Sequence, residues 1–306
     1  MADTTLLVGD NPFHNISHLS QERTRLKEKN AITPEKAADL ISIAIKNGAD
    51  GFMFSVSETT LSILKKLKEK GQTDELSLHA IVPYAYEYVK LATQVGGISG
   101  LARKVGARIL VSGSLKGIAT GAIGILRMEP FTILKTYLTY EVSRIRSAAG
   151  KTMHLECVFL HEVITDLALA LNMEWLFKSH IAVSQKLGTS PGFNTCNFPY
   201  LMSKLREWNL DSCDISVAAP FNKIGFQMSP SKNECEKTLQ SLDKRILVAI
   251  SIMAAGYLKP REALEYVRAL PNVKGIAIGV SSETQAQETF KTAQQIGNSF
   301  RSDHLK

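Results

Sequence analysis

A histidine and a glutamate, His161-Glu162, close the apolar run Leu155–Leu160. Imidazole titrates near neutrality and an adjacent carboxylate can tune it, so the pair suits proton transfer. Glu156 lies inside the same run, where a carboxylate needs a partner or a raised pKa. Asp10, Asn11 and His14 follow the first apolar run, and His18 stands four residues beyond His14. On one helix face His14 and His18, joined by His161 and a carboxylate, would suit a divalent metal. The last apolar run ends in Gly279-Val280-Ser281-Ser282. A glycine that admits close backbone approach, followed by serines opening a helix, is a site for a phosphate group. The other reading of those serines is an ordinary N-cap in a tight turn. Gly256, after Ala254-Ala255, offers similar close approach.

Other polar residues recur where apolar runs end. Tyr84 and Tyr86, Asn194 and Asn197, and Asn222 with Lys223 do so, as do Ser55, Ser57 and Ser112. Asp10, Asn11, His14, Tyr84, Asn194, Asn197 and Asn222 are candidate substrate contacts. Each could equally cap a helix or satisfy a loop. Gly113–Met128 carries four glycines and Lys116 among apolar residues. It reads either as a lid or as a buried helix packed through small residues. His79 lies within a strand and suits either a proton carrier or a satisfied structural histidine.

The elements that must position these residues alternate. Short β-branched runs (Leu6–Gly9, Gly51–Val56, Leu76–Val82, Arg108–Ser112, Leu155–Leu160, Gly192–Cys196, Ile215–Ala219, Ile246–Ile252 and Gly275–Val280) are separated by amphipathic helical patterns. Among these helices are Pro34–Asn47, Glu58–Lys70 and one long segment, Val163–Leu187. Strands buried on both faces and joined by helices form a parallel sheet. Eight or so of them without a linker predict a single (β/α)8 TIM barrel over residues 1–296, with 297–306 as a flexible tail. A doubly wound sheet would place G-x-G-x-x-G after its first strand, and Gly9-Asp10-Asn11-Pro12-Phe13-His14 is not that. Nine strand candidates are one more than a barrel needs. Active sites of such barrels lie where strands end, so Glu156 is expected to point inside and tune His161.

Composition agrees with an ordinary α/β protein. The 306 residues carry 36 basic and 29 acidic side chains, a net charge of +7, with 44% hydrophobic residues. That balance excludes a disordered chain and a disulfide miniprotein. The charge is dispersed and not interleaved with aromatics, which argues against nucleic acid as a partner. No apolar stretch is long enough for a bilayer, and the start lacks a secretory pattern. Four cysteines without C-x-x-C spacing read as reduced thiols in a cytoplasmic protein.

Over residues 190–296 the order of motifs resembles the aldo/keto reductase superfamily in a divergent branch. Gly192-Phe193-Asn194-Thr195-Cys196-Asn197 is similar to a strand end of that family. So are Pro220-Phe221-Asn222, Ala254-Ala255-Gly256 with Leu258, and Ile278–Glu288. The resemblance implies a barrel oxidoreductase acting on a small molecule. It also implies NADP or NAD, with the cofactor phosphate near Gly279, Val280, Ser281 and Ser282. Those reductases use Asp and Tyr after strand two, Lys ending strand three and His ending strand four. His161 matches the last. Met53 or Phe54 stands at the Asp position and Pro83 near the Lys position, with no Tyr in the matching turn.

Three readings follow. The first is a barrel enzyme with a phosphate-bearing ligand and His161 as its proton-transfer group, tuned by Glu162 or Glu156. The second is a metal-assisted hydrolase, lyase or isomerase using His14, His18, His161 and Glu162. The third is a non-catalytic ligand-binding barrel. Oligomeric state is not legible.

Overall fold

The computed structural model describes residues 4–14, 32–71, 76–83 and 130–303, with side chains through 296. Eight parallel strands close on themselves in sequence order. They are β1 (Thr5–Gly9), β2 (Gly51–Ser55), β3 (Leu76–Val82), β4 (Met153–Leu160), β5 (Ser190–Asn194), β6 (Ser216–Pro220), β7 (Leu247–Ile250) and β8 (Val273–Gly279). β8 returns to β1 in continuous register from Thr5 opposite Gly275 to Gly9 opposite Gly279. Eight of the nine strand candidates therefore make the barrel. The ninth, Arg108–Ser112, lies outside the described residues, as do His18, Tyr84, Tyr86, Lys116 and the Gly113–Met128 segment.

Helices coat the barrel: α1 (Pro34–Lys46), α2 (Glu58–Lys70), α3 (Pro130–Ala149), α4 (Glu162–Ala170), α5 (Glu174–Lys186), α6 (Phe198–Glu207), α7 (Lys232–Gln240), α8 (Pro260–Arg268) and α9 (Glu283–Asp303). Local chemistry sets their starts. Thr33 Oγ1 accepts the Lys36 amide with Pro34 opening α1, and Ser57 and Thr60 form a reciprocal capping box on α2. Each such cap stabilises by about 1 kcal/mol. α1 buries Ala37, Ala38, Leu40, Ile41 and Ala44 on one stripe against the sheet.

The single helix expected over Val163–Leu187 is instead two, α4 and α5. Asn172 between them takes a left-handed φ of 52°. Asparagine tolerates that conformation because its short amide can bond locally, and one such residue ends a helix.

Inside the barrel lies a small apolar layer: Leu7, Met53, Cys157, Phe159, Ala218 and Val248, with Ile81, Ile250 and Ala277 against it. A large outer core lies between strands and helices. Gly192 permits the inner layer, since a Cβ there would meet the Phe159 ring at 2.4 Å. Two strands carry an extra residue near their N-terminal ends. Opposite β3, Leu78 pairs Leu155 and His79 pairs Cys157, so Glu156 bulges out of β4. Opposite β7, Leu247 pairs Val273 and Val248 pairs Gly275, so Lys274 bulges out of β8.

Candidate active site at the C-terminal mouth

Asp10 leaves the end of β1 with its side chain buried at 4% exposure. Its Oδ2 accepts the backbone N–H of Ser55 at 2.7 Å, which ties β1 to the end of β2. The same oxygen lies 3.0 Å from His14 Nε2. A single 3-10 turn, Asn11–His14, brings His14 back over Asp10. His18, expected to share a helical face with His14, lies outside the described residues. Among the described residues no group of three or more His, Cys, Asp or Glu side chains is placed to hold a metal ion.

His161 directly follows β4, and its amide still pairs with Val82 O at 2.8 Å. It is the N-cap of α4, with Nδ1 accepting the Val163 N–H at 3.2 Å. An acceptor role at Nδ1 leaves the neutral ring's proton on Nε2. Burial lowers the imidazole pKa and the negative charge of Asp10 opposes that shift. Asp10 thus sits among His14, His161 and the Ser55 amide.

Glu162 opens α4, and its carboxyl is raised above the usual range, first by burial and then by Asp166. Asp166, one turn along α4, is the carboxylate inside the apolar stretch Val163–Ala170, a signal that the sequence reading does not use. It accepts from Thr195 Oγ1 and from the Cys196 amide at 3.1 Å, fixing the chain that leaves β5. Burial and the two carboxylates push the Cys196 thiol up to about 12, so it is no ready nucleophile.

Three of the four asparagines expected to meet substrate, Asn194, Asn197 and Asn222, differ in their surroundings. Asn197 caps α6 by accepting the Tyr200 amide at 3.2 Å. Asn222 is fully buried and latches its own loop, donating to Phe226 O at 2.8 Å and accepting Phe226 N–H at 2.7 Å. Asn194 is different. It ends β5 on the same face as Gly192, is 5% exposed, and its Oδ1 has no hydrogen-bond partner among the described residues. A buried acceptor without a donor is costly unless a ligand or water supplies one.

At the end of β8, Ser282 caps α9 by accepting the Gln285 amide at 3.3 Å. The Gln285 side chain in turn accepts both the Ser281 N–H at 3.0 Å and the Ser281 hydroxyl at 2.9 Å. The closest approach at Gly279 comes from Pro12, whose ring a Cβ would meet at 3.0 Å. The backbone after β7 is left-handed at Ser251, Ala254, Ala255 and Gly256. At Gly256 a Cβ would meet nothing within 4 Å, so that turn stands open. Non-glycine residues in this region cost about 1–3 kcal/mol each and collect at functional loops.

Glu156 does not point toward His161 as the strand pattern predicts. It lies at the opposite, N-terminal end of the barrel, 3.4 Å from His154 and 45% exposed, because the bulge in β4 displaces it. It has no part in tuning His161. His79 faces the same end.

No protein-family model and no curated protein matches the chain. Solved structures do resemble it. A protein of Pseudomonas aeruginosa described as an aldo-keto reductase is 15% identical, with a TM-score of 0.58, aligning 97% of this chain and 92% of that one. An aldo-keto reductase from Bacillus halodurans in its holo form is 10% identical, with a TM-score of 0.55 over 96% of this chain and 91% of that one. A structure described as a 2,5-diketo-D-gluconic acid reductase B is 11% identical, with a TM-score of 0.53 over 97% and 86%. The chain shares the barrel of these reductases over nearly its whole length.

Proposed function

We propose that the protein is a nicotinamide-linked oxidoreductase that interconverts a small carbonyl compound and its alcohol at the C-terminal mouth of the barrel. The observation that carries this reading is the buried Asp10 carboxylate held between His14 and the Ser55 amide, with the His161 ring in its field. The reductase fold supports it.

The residues fit the cofactor. Asn194 Oδ1 is a buried acceptor awaiting a donor such as a carboxamide N–H. The first-turn amides of α9 have no carbonyl four residues back and favour a phosphate. Gly256 leaves an open turn beside them in strand order. Asn194 would hold the amide end, and Ser281 and Ser282 a phosphate. When bound, the reduced nicotinamide supplies a hydride to a carbonyl carbon.

This chain's own part is the proton. The Val163 N–H fixes His161 with Nε2 as its donor. A carbonyl oxygen at hydrogen-bond distance from Nε2 would be polarised by that N–H, and the proton that completes the alcohol would come from the imidazolium form, which gives up the Val163 contact, returns to the neutral ring on transfer and is reprotonated from solvent. Asp10 favours the charged ring and opposes the desolvation that disfavours it. The proton is thus held at Nε2 without the phenol and lysine used by the reductases that the sequence resembles.

The deciding experiment is a fluorescence titration of the purified protein with NADPH and NADH at low salt. Saturable enhancement of nicotinamide emission is the expected result. No binding at roughly millimolar concentration, an affinity weaker than about 4 kcal/mol, rejects the cofactor.

A further inference from the structure

The inside of a small barrel is ordinarily filled by layers of branched apolar side chains. The N-terminal half of this barrel is not. Thr5, Ser77, Ser190, Ser216 and Gly275 stand where such residues would pack, and they leave a cavity of about 190 Å³. Roughly six waters fill that much space in the liquid, so the cavity also has room for a small organic molecule.

Its polar groups come from specific devices of the fold. The bulges at Glu156 and Lys274 lie on β4 and β8, opposite one another across the barrel, and both residues line the cavity. Parallel strands rarely bulge, and bulges re-aim side chains. Lys274 Nζ donates to Ser216 Oγ at 3.0 Å. Among the described residues no carboxylate lies within 4 Å of it, while Glu156 at the half-exposed rim pairs with His154 instead. His79 also lines the cavity at 7% exposure. Its Nε2 is 2.9 Å from Ser77 Oγ, and its Nδ1 has no partner among the described residues. Burial and the Lys274 charge lower its pKa to about 4, so the ring is neutral and Nδ1 can donate only in one tautomer. Cys157 shares the cavity, but burial raises its thiol, which leaves the space a binding site and not a nucleophilic one.

A cation without a carboxylate partner and a buried imidazole whose Nδ1 is unpaired among the described residues line one roomy, polar space. We propose that the N-terminal mouth of the barrel is a second binding site, taking a small carboxylate of about two to four carbons whose charged group is met by Lys274 and His79. The serine and threonine hydroxyls around it suit hydroxyl or keto oxygens on the same ligand. The site is independent of the chemistry at the C-terminal mouth.

The test follows the His79 ring by NMR in the full-length protein labelled with 15N-histidine, with acetate, lactate and malonate as probes. A saturable shift of the His79 signals by at least one probe below about 10 mM is expected, with binding at least tenfold weaker in Lys274→Met. If no probe moves His79 at that concentration, the cavity holds water only and the proposal fails. A shift unaltered by Lys274→Met also overturns it. Should Lys274→Met not fold, Glu156→Gln at the exposed rim gives the second reading. Removing a like charge should tighten carboxylate binding by about two- to fivefold, and unchanged or weaker binding counts against the site.

Discussion

One carboxylate oxygen of Asp10 holds the amide of Ser55 at 2.7 Å while lying 3.0 Å from His14 Nε2, so a single buried atom joins two strand ends and a histidine. Its charge also reaches His161 and raises that ring's pKa against the effect of burial. Asp10→Asn keeps an oxygen for the Ser55 amide but removes the charge. The His161 pKa should then fall further below its ordinary value, as read by NMR titration of the ring. An unchanged His161 titration would separate the two residues. In a reduction assay, His161→Ala should cost about 10²–10⁴-fold in kcat, the usual contribution of a positioned proton donor.

The pH dependence of stability tests Glu162 independently. Its folded pKa is raised, mainly by burial. Between the unfolded and folded values the native state holds more protons than the unfolded state. Stability from this group is therefore full at low pH and is lost as pH rises through the folded pKa. Glu162→Gln removes the titration. It should be more stable than the parent in urea melts at neutral pH, with the gap closing in acid. A variant that is less stable at neutral pH would show that the favourable placement of a carboxylate at the start of α4 outweighs its burial.

The barrel was legible because its signals are local. Thr33-Pro34, Ser57 and the helix-ending glycines 48, 71, 150 and 188 mark helix ends through caps and left-handed turns, and the latter four all have positive φ. The placement of His161 was legible for the same reason, since it ends an apolar run. Glu156 was misread because alternation along β4 assumes an unbroken register, and a bulge is set by the pairing partner, not by the strand's own residues. The inward placement of Lys274 is illegible in the strand pattern for the same reason. Asp10 was visible as a polar residue, but its hold on Ser55 spans 45 positions and no spacing rule reports it. The Asn172 break was hidden because Leu171 and Met173 sustain the apolar pattern on either side.

Two glycines separate steric from conformational demand. At Gly192 a Cβ would lie 2.4 Å from the fully buried Phe159 ring, which has no free space to move into. Gly192→Ala should therefore destabilise by about 1–3 kcal/mol in denaturant melts through overpacking. At Gly71 a Cβ meets nothing, but φ is +64°. Gly71→Ala should cost only about 1 kcal/mol, the left-handed penalty of an alanine. Equal costs at the two positions would mean that Phe159 can shift within the inner layer.

The phosphate reading of Gly279–Ser282 turns on Gln285. Its side-chain oxygen occupies both donors of Ser281, so an incoming phosphate must compete with it. Gln285→Ala should release the Ser281 N–H and hydroxyl, and NADPH should then bind more tightly, by about two- to tenfold for one or two freed hydrogen bonds. The melting temperature should fall slightly at the same time, because the capping arrangement of α9 is weakened. Ser281→Asp should act oppositely, placing a carboxylate where the phosphate would sit and weakening binding at least about tenfold through like-charge repulsion. Fluorescence titration reads both variants. Weaker binding in Gln285→Ala would make the amide a ligand contact and not a competitor. Unchanged binding in both variants would remove this turn from the cofactor site altogether and leave α9 with an N-terminus that is merely well capped.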